Sequence, residues 1–223
     1  LLVGHVYGAF HVRAMDRAAA AAPRVKTAVI QGNIDQKLKM SRGSSRAATI
    51  LGRYLPPTAA ADEAGADLVI WPEGSYPLAF PTGVTRLTDA GLRPGGYRAG
   101  ILVGVDVFDR KNLRKGNENA AFLLDPSLGI AHHYVKNHLV PFGEYVPWRL
   151  DEVLGVGNIV GASFSPGTDL SPAVLRRPDA PAVRLGIEIC FDAIFPEISR
   201  TYARSGAQVP DPAARQAAAA RSA

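Results

Sequence analysis

"RLGIEICFDAIFPE", residues 184–197, holds the only cysteine in the chain and sets three polar residues into an apolar run. Read as an extended strand, alternate side chains share a face. Ile187, Ile189 and Phe191 then line one side, and Glu188, Cys190 and Asp192 line the other. An acid–thiol–acid row is costly to bury without partners. Either that face is wet or it belongs to a site. Beyond it, "FPEISRTYARSG" (195–206) reads as a helix that Gly206 terminates.

Upstream, apolar strands alternate with helical stretches. "VKTAVIQ" (25–31) is rich in β-branched residues and runs into the turn "GN". "SSRAATILGRYL" (44–55) places Ala47, Ile50, Leu51 and Tyr54 at helical spacing, and Pro56-Pro57 predicts a break. A second short helix is expected through "TAAADEAG", before the strand "DLVIW" (67–71). "GILVGVDVF" (100–108) and "NAAFLLD" (119–125) flank a charged turn as a hairpin, and "GIAHHYVK" (129–136) adds a strand. "VRLGIEIC" (183–190) is the last strand. Strands mixed with helices in this order make the chain α/β.

With 223 residues, 47% of them hydrophobic, there is material for one sizeable core. One cysteine excludes an internal disulfide framework. The net charge of +5 is scattered. Its densest cluster, "DRKNLRKGNE" (109–118), is interrupted by acids, Asn and Gly and reads as a solvated loop, not a nucleic-acid patch. A mild positive balance also suits an anionic membrane surface. The adjacent His132 and His133 lack any metal-ligand spacing. "LLVGHVYGAFHV" (1–12) is apolar but short of the roughly 20 residues of a membrane span. "RAMDRAAAAAP" (13–23) reads as a connector. "GAQVPDPAARQAAAARSA" (206–223) is Ala, Arg and Pro without a periodic face, and is expected to be disordered.

Three strand ends carry groups capable of chemistry: Glu73 in "DLVIWPEGSYP", Lys136 with Glu144 in "HHYVKNHLVPFGEYVP", and Cys190. A thiol attacks as thiolate, so it needs a base or a positive neighbour. A carboxylate can take its proton, and a lysine can stabilise both the thiolate and an oxyanion. Each residue also has a plain reading. A lone Cys serves as a small hydrophobe, a lysine after a strand is usually solvated, and Pro-Glu commonly starts a helix. Five histidines keep a Cys–His pairing open as well.

"WPE", "YVKNHLVPFGEYVP" and "EICFDAIFPE", in this order, resemble the nitrilase superfamily and, within it, the apolipoprotein N-acyltransferases. "VIQGNI" (29–34) and "SFSPGTD" (163–169) fit the same pattern, and the resemblance covers about residues 25–206. It implies a nitrilase-like α–β–β–α sandwich. Glu73 carries over as general base, Lys136 as the oxyanion-stabilising residue and Cys190 as nucleophile, with Glu144, Phe191 and Asp192 as active-site support. The implied reaction moves an acyl chain from phospholipid, through a Cys190 thioester, to the N-terminal diacylglyceryl-cysteine of a lipoprotein. No metal or organic cofactor and no nucleic acid is implied.

The resemblance further implies a bacterial inner-membrane protein whose catalytic domain faces the periplasm below membrane helices. Residues 1–22 then read as the end of a membrane helix and a connector, 23–206 as the nitrilase-like domain, and 207–223 as an atypical tail. Where the family has Tyr then Glu after the cysteine, this chain has Phe191 and Asp192. After residue 207 the family's next apolar strand is replaced, so the sandwich is expected to be incomplete at its C-terminus. The alternatives are a soluble amidase of the same fold and an inactive truncated fragment.

Overall fold

The computed structural model describes residues 1–22, 24–41, 45–87, 96–110, 117–147 and 163–210. Its main sheet is laid down early. Strands β1 (Thr27–Val29), β2 (Leu68–Ile70) and β4 (Gly100–Phe108) run parallel, and β3 (Ala79–Pro81) joins the far half of the β4 edge. From β4 the chain turns back through β5 (Glu118–Leu124) and β6 (Ile130–Val135), both antiparallel to their neighbours. The hairpin expected on either side of the charged turn is present, with Ile101 opposite Leu124 and Val107 opposite Glu118.

Both faces of this sheet are buried, which is why its strands read as continuous apolar runs. The period of two divides them cleanly. Val69, Ile101, Val103, Val105, Ala120, Phe122 and Leu124 pack on the side of helix α3 (Ser45–Glu63), which follows the short helix α2 (Gln36–Met40), against Ile50 and Tyr54. Leu68, Ile70, Leu102, Ala121, Leu123 and Tyr134 face the opposite way. They meet Ala173, Leu175, Val183 and Leu185 from a second sheet of β7 (Ala173–Arg177), β8 (Ala180–Gly186) and β9 (Val209–Pro210). Helix α4 (Pro196–Arg204) closes that side with Ile198 and Tyr202. The layers are helix, sheet, sheet, helix, as the resemblance implies.

Several local expectations fail, each for a physical reason. Helix α3 does not stop at Pro56-Pro57 but runs through them to Glu63, absorbing the second helix. The carbonyls that lose their donors belong to Gly52 and Arg53, which are exposed, so water can replace the missing bonds. The connector expected over 13–23 is helical as far as Ala21, in helix α1 (Leu2–Ala21). Its alanine run has the highest helix propensity of any residue. Helix α1 buries none of its side chains, and no helix among the described residues is long and apolar enough to cross a membrane.

At the other end, the stretch set apart as a tail begins by joining the core. Gln208 exchanges backbone and side-chain bonds with Arg184, Val209 pairs with Leu185, and Val209 packs on the inter-sheet cluster. Two residues suffice because a strand docks through its backbone, with one apolar side chain to seat it. Residues 211–223, most of the expected disordered tail, lie outside the described residues.

This packing predicts opposite outcomes for two apolar truncations. Ile198 is 0% exposed, and Ile198→Ala should cost about 2–5 kcal/mol. Phe10 is 69% exposed on α1, and Phe10→Ala should stay within about 0.5 kcal/mol of the parent. Urea unfolding midpoints of the two variants check both.

Candidate active site

Glu73 is delivered by an anchored crossing. After β2, Trp71 stacks on Tyr54 at 4.8 Å between ring centroids, and its indole N–H donates to Thr58 Oγ1 at 2.8 Å. The backbone of Pro72, Glu73 and Gly74 then passes over Gly104 in β4. A Cβ on Gly104 would lie 2.5 Å from the Pro72 carbonyl oxygen and 2.8 Å from Glu73 Cα. Only a glycine lets the two backbones approach this closely. Beyond the crossing, the Tyr76 N–H donates to the Gly104 carbonyl at 3.1 Å.

Lys136 follows directly on β6 and is 0% exposed. Its ammonium donates to Glu144 Oε1 at 2.7 Å and Glu73 Oε1 at 3.1 Å. Asn119, on the neighbouring strand β5, donates to the same two oxygens, at 3.2 and 2.6 Å respectively. Glu144 sits in the turn Pro141–Tyr145, and its other oxygen accepts from the Val140 N–H at 2.8 Å. Burial pushes the Lys136 ammonium toward losing its proton, but the Glu73 charge and the bond and charge of Glu144 outweigh it, and the net shift is upward. Lys136 is thus held as a cation. Nearby, burial and the Glu73 charge push the Asp106 carboxyl up, with Lys39 opposing. The segment 163–169 braces this corner. Gly167 donates to the Lys136 carbonyl at 2.9 Å, and a Cβ there would strike the Val135 carbonyl oxygen at 2.4 Å.

The alternation expected over 187–192 holds only for its first half: Ile187 and Ile189 share the inter-sheet cluster, and the pattern ends at Cys190. Strand β8 ends at Gly186, and Cys190 opens a 3₁₀ turn, Cys190–Ile194, with φ of +47°. A left-handed backbone at a residue with a Cβ costs on the order of 1–2 kcal/mol. It breaks the period of two, so Glu188, Cys190 and Asp192 go three ways. Glu188 turns to α4 and accepts from Ser199 Oγ at 2.5 Å. Asp192 turns inward, 0% exposed, and accepts from the Tyr134 hydroxyl at 2.7 Å, the His138 N–H at 2.8 Å and the Ile189 N–H at 3.1 Å. Cys190 itself is half-buried at the elbow.

Phe191 meets the Phe195 ring edge-on at 5.2 Å, and His138 stacks on Phe195 at 3.8 Å. These rings, with Leu139, Pro141 and Phe164, line an open apolar cleft of about 430 Å³.

Of the six residues singled out in the sequence, Glu73, Lys136 and Glu144 form one bonded cluster. Asp192 ties the turn that bears Cys190 and Phe191 to residues on either side of Lys136. Asn119, Tyr134 and His138 complete the arrangement and were not singled out. For Asn119 a signal existed: it is an uncharged polar residue directly before the apolar run 120–124 of β5. Chemically, the set offers a thiol on a half-buried elbow, a carboxylate able to move a proton, a fixed cation and an apolar cleft.

A strand-to-helix turn carrying a thiol, at the rim of two packed sheets flanked by helices, is the plan of the nitrilase-type sandwich. The carbon-nitrogen hydrolase family model matches residues 17–210, and the chain belongs to that family. Among relatives, it is 34% identical to an apolipoprotein N-acyltransferase of Geobacter metallireducens over 82% of this chain and 34% of that protein. It is 32% identical to one of Allorhizobium ampelinum over 88% of this chain and 37% of that protein. The chain thus spans about a third of the length of these curated relatives.

Among solved structures, a carbon-nitrogen hydrolase from Helicobacter pylori superposes with a TM-score of 0.54 at 17% identity, over 83% of this chain and 58% of that one. An amidase from Nesterenkonia sp. AN1, with acrylamide added at its active-site cysteine, gives 0.52 at 18% identity, over 84% and 65%. At these identities the likeness is one of fold.

The buried cation has a pH signature. Its folded pKa is raised, so its contribution is complete below the unfolded lysine value of about 10.4 and is lost as pH climbs through the higher folded value. Lys136→Met should cost about 3 kcal/mol at pH 8, because it leaves two carboxylates facing each other. It should also abolish part of the stability loss seen above about pH 10.5 in the parent. Urea midpoints from pH 8 to 11 check both.

Proposed function

We propose that this chain is the catalytic domain of an apolipoprotein N-acyltransferase, with Cys190 as nucleophile, Glu73 as general base and Lys136 as the oxyanion-stabilising cation. The observation that carries the reading is the joint presence of a locked Lys136–Glu73–Glu144 cluster and an apolar cleft beside the Cys190 elbow. A small-amide hydrolase needs the first but has little use for a wide cleft lined by aromatic rings. The names borne by the relatives, and the "HLVPFGEYVP" turn that holds Glu144, point the same way.

In the first half-reaction Glu73 takes the Cys190 proton and the thiolate attacks a phospholipid ester carbonyl. Lys136 donates to the developing oxyanion. Collapse breaks the C–O bond, Glu73 returns the proton to the leaving oxygen, and a lysophospholipid departs. In the second, the free α-amine of a diacylglyceryl-cysteine attacks the thioester. Its proton passes through Glu73 to the departing Cys190 sulfur, and an amide is formed. Glu144 and Asn119 hold Lys136 and Glu73 in register, while Phe191 lines the acyl side and Asp192 sets the elbow. Under this reading the domain works at the periplasmic face of the inner membrane, with the exposed apolar side chains of α1 on the bilayer side.

Incubating the chain with phospholipid in mixed micelles should add one acyl group to its intact mass, removable by hydroxylamine. Cys190→Ser should show no hydroxylamine-labile adduct. Glu73→Gln keeps an acceptor for Lys136 and Asn119 but cannot take a proton, and should acylate about 10²- to 10⁴-fold more slowly. A parent chain that stays unacylated while hydrolysing short amides would replace this reading with the amidase one.

A further inference from the structure

Tyr134 has no part in the chemistry described above, yet it is 1% exposed and spends its only hydroxyl on Asp192. Its place is telling. It precedes Lys136 by two residues, so the two side chains leave the β6 line on the same side. Its partner Asp192 lies two residues after Cys190. Asp192 Oδ2 receives the Tyr134 hydroxyl and the Ile189 N–H, while Oδ1 receives the His138 N–H. The Asp192 N–H in turn donates to the Ile189 carbonyl at 3.0 Å, closing a short ring of backbone around Cys190 and Phe191. One buried carboxylate therefore grips the elbow from both ends and fastens it to residues 134 and 138, which bracket Lys136.

We propose that Tyr134 is a positioning residue: through Asp192 it latches the Cys190 elbow in its left-handed conformation and sets the thiol against Lys136. The proposal rests on the reading of Cys190 as nucleophile with Lys136 as its cationic neighbour. A residue at φ of +47° relaxes toward the common backbone regions unless its surroundings hold it. Asp192 supplies the hold, and Tyr134 contributes its one side-chain hydrogen bond among the described residues. Burial, reinforced by the Asp192 charge, raises the Tyr134 hydroxyl far above the ordinary range, so it remains a donor at any working pH. Without the hydroxyl, the carboxylate keeps its backbone donors and the His138 ring, whose Nδ1 lies 3.6 Å from Oδ1, and is free to pivot about them. The elbow can then relax and carry the sulfur away from the ammonium.

The test reads the thiol directly, through the rate of Cys190 alkylation by iodoacetamide against pH. Parent, Tyr134→Phe, Asp192→Ala and the double variant are compared below their melting temperatures, where near-ultraviolet circular dichroism matches the parent. Tyr134→Phe should alkylate about tenfold more slowly at pH 7, with its pH midpoint raised by about one unit as the thiolate loses its cationic neighbour. The double variant should be no slower than Asp192→Ala alone, because both substitutions break the same bond. Asp192→Glu keeps a carboxylate within reach of the hydroxyl and should stay within about fivefold of the parent rate.

A Tyr134→Phe profile matching the parent in rate and midpoint would overturn the latch. So would losses that multiply in the double variant, or an Asp192→Glu loss as deep as that of Asp192→Ala. A merely structural tyrosine would lower the melting temperature and leave the midpoint in place. Alkylation needs neither phospholipid nor acceptor. If these profiles hold while the parent forms no acyl adduct, the functional reading fails and the latch stands.

Discussion

A lysine ammonium with no access to water must be surrounded by acceptors, and the bonds around Lys136 constrain most of what surrounds it. Its two carboxylates arrive from opposite directions, Glu73 from the crossing after β2 and Glu144 from the turn beyond β6. Each would repel the other without the cation between them. Asn119 adds a neutral donor to both oxygens, which matters because one ammonium cannot saturate two carboxylates. The order β2–β4–β5–β6 in the sheet is what allows these three segments to converge. A shift of one residue in the β5–β6 register would turn Asn119 or Lys136 to the opposite face.

The turn that follows the second sheet is fastened to the Lys136 segment through Asp192. Its burial would be prohibitive alone, and three donors from two different segments compensate it. The contrast with Glu188 is instructive. Two acids flank the same cysteine, yet one is spent on fastening α4 through Ser199 while the other fastens the elbow to the Lys136 segment. Asp192 makes its bonds although its side chain is one methylene shorter than the glutamate usual at this place in the acyltransferases it resembles.

Much of this was legible in the residues and some was not. The β4–β5 hairpin was readable because strands buried on both faces are continuous apolar runs, and a charged turn separated them. Helix α3 was misread at Pro56-Pro57 because a proline breaks a helix only if the freed carbonyls cannot find water, and sequence does not say which way Gly52 and Arg53 face. Strand β9 was missed because its docking depends on backbone bonds and the single side chain of Val209. The alternating row around Cys190 failed at one torsion angle, which no neighbouring residue type announces. Glu73, Lys136, Glu144 and Cys190 stood out at strand ends. Tyr134 and His138 did not, because their importance depends on Asp192 turning inward.

Gly104 and Gly167 show that part of the site is specified by atoms that are missing. Neither offers a functional group, and neither can touch a substrate through a side chain. Yet the smallest possible addition at either position would push on backbone, which has no rotamer through which to escape. In a mutational scan these two positions should tolerate as little change as Lys136, although no reagent for reactive side chains would mark them. Transplanting this chemistry to another scaffold would therefore fail if only the reactive side chains were copied. The places where two main chains touch would have to be copied with them.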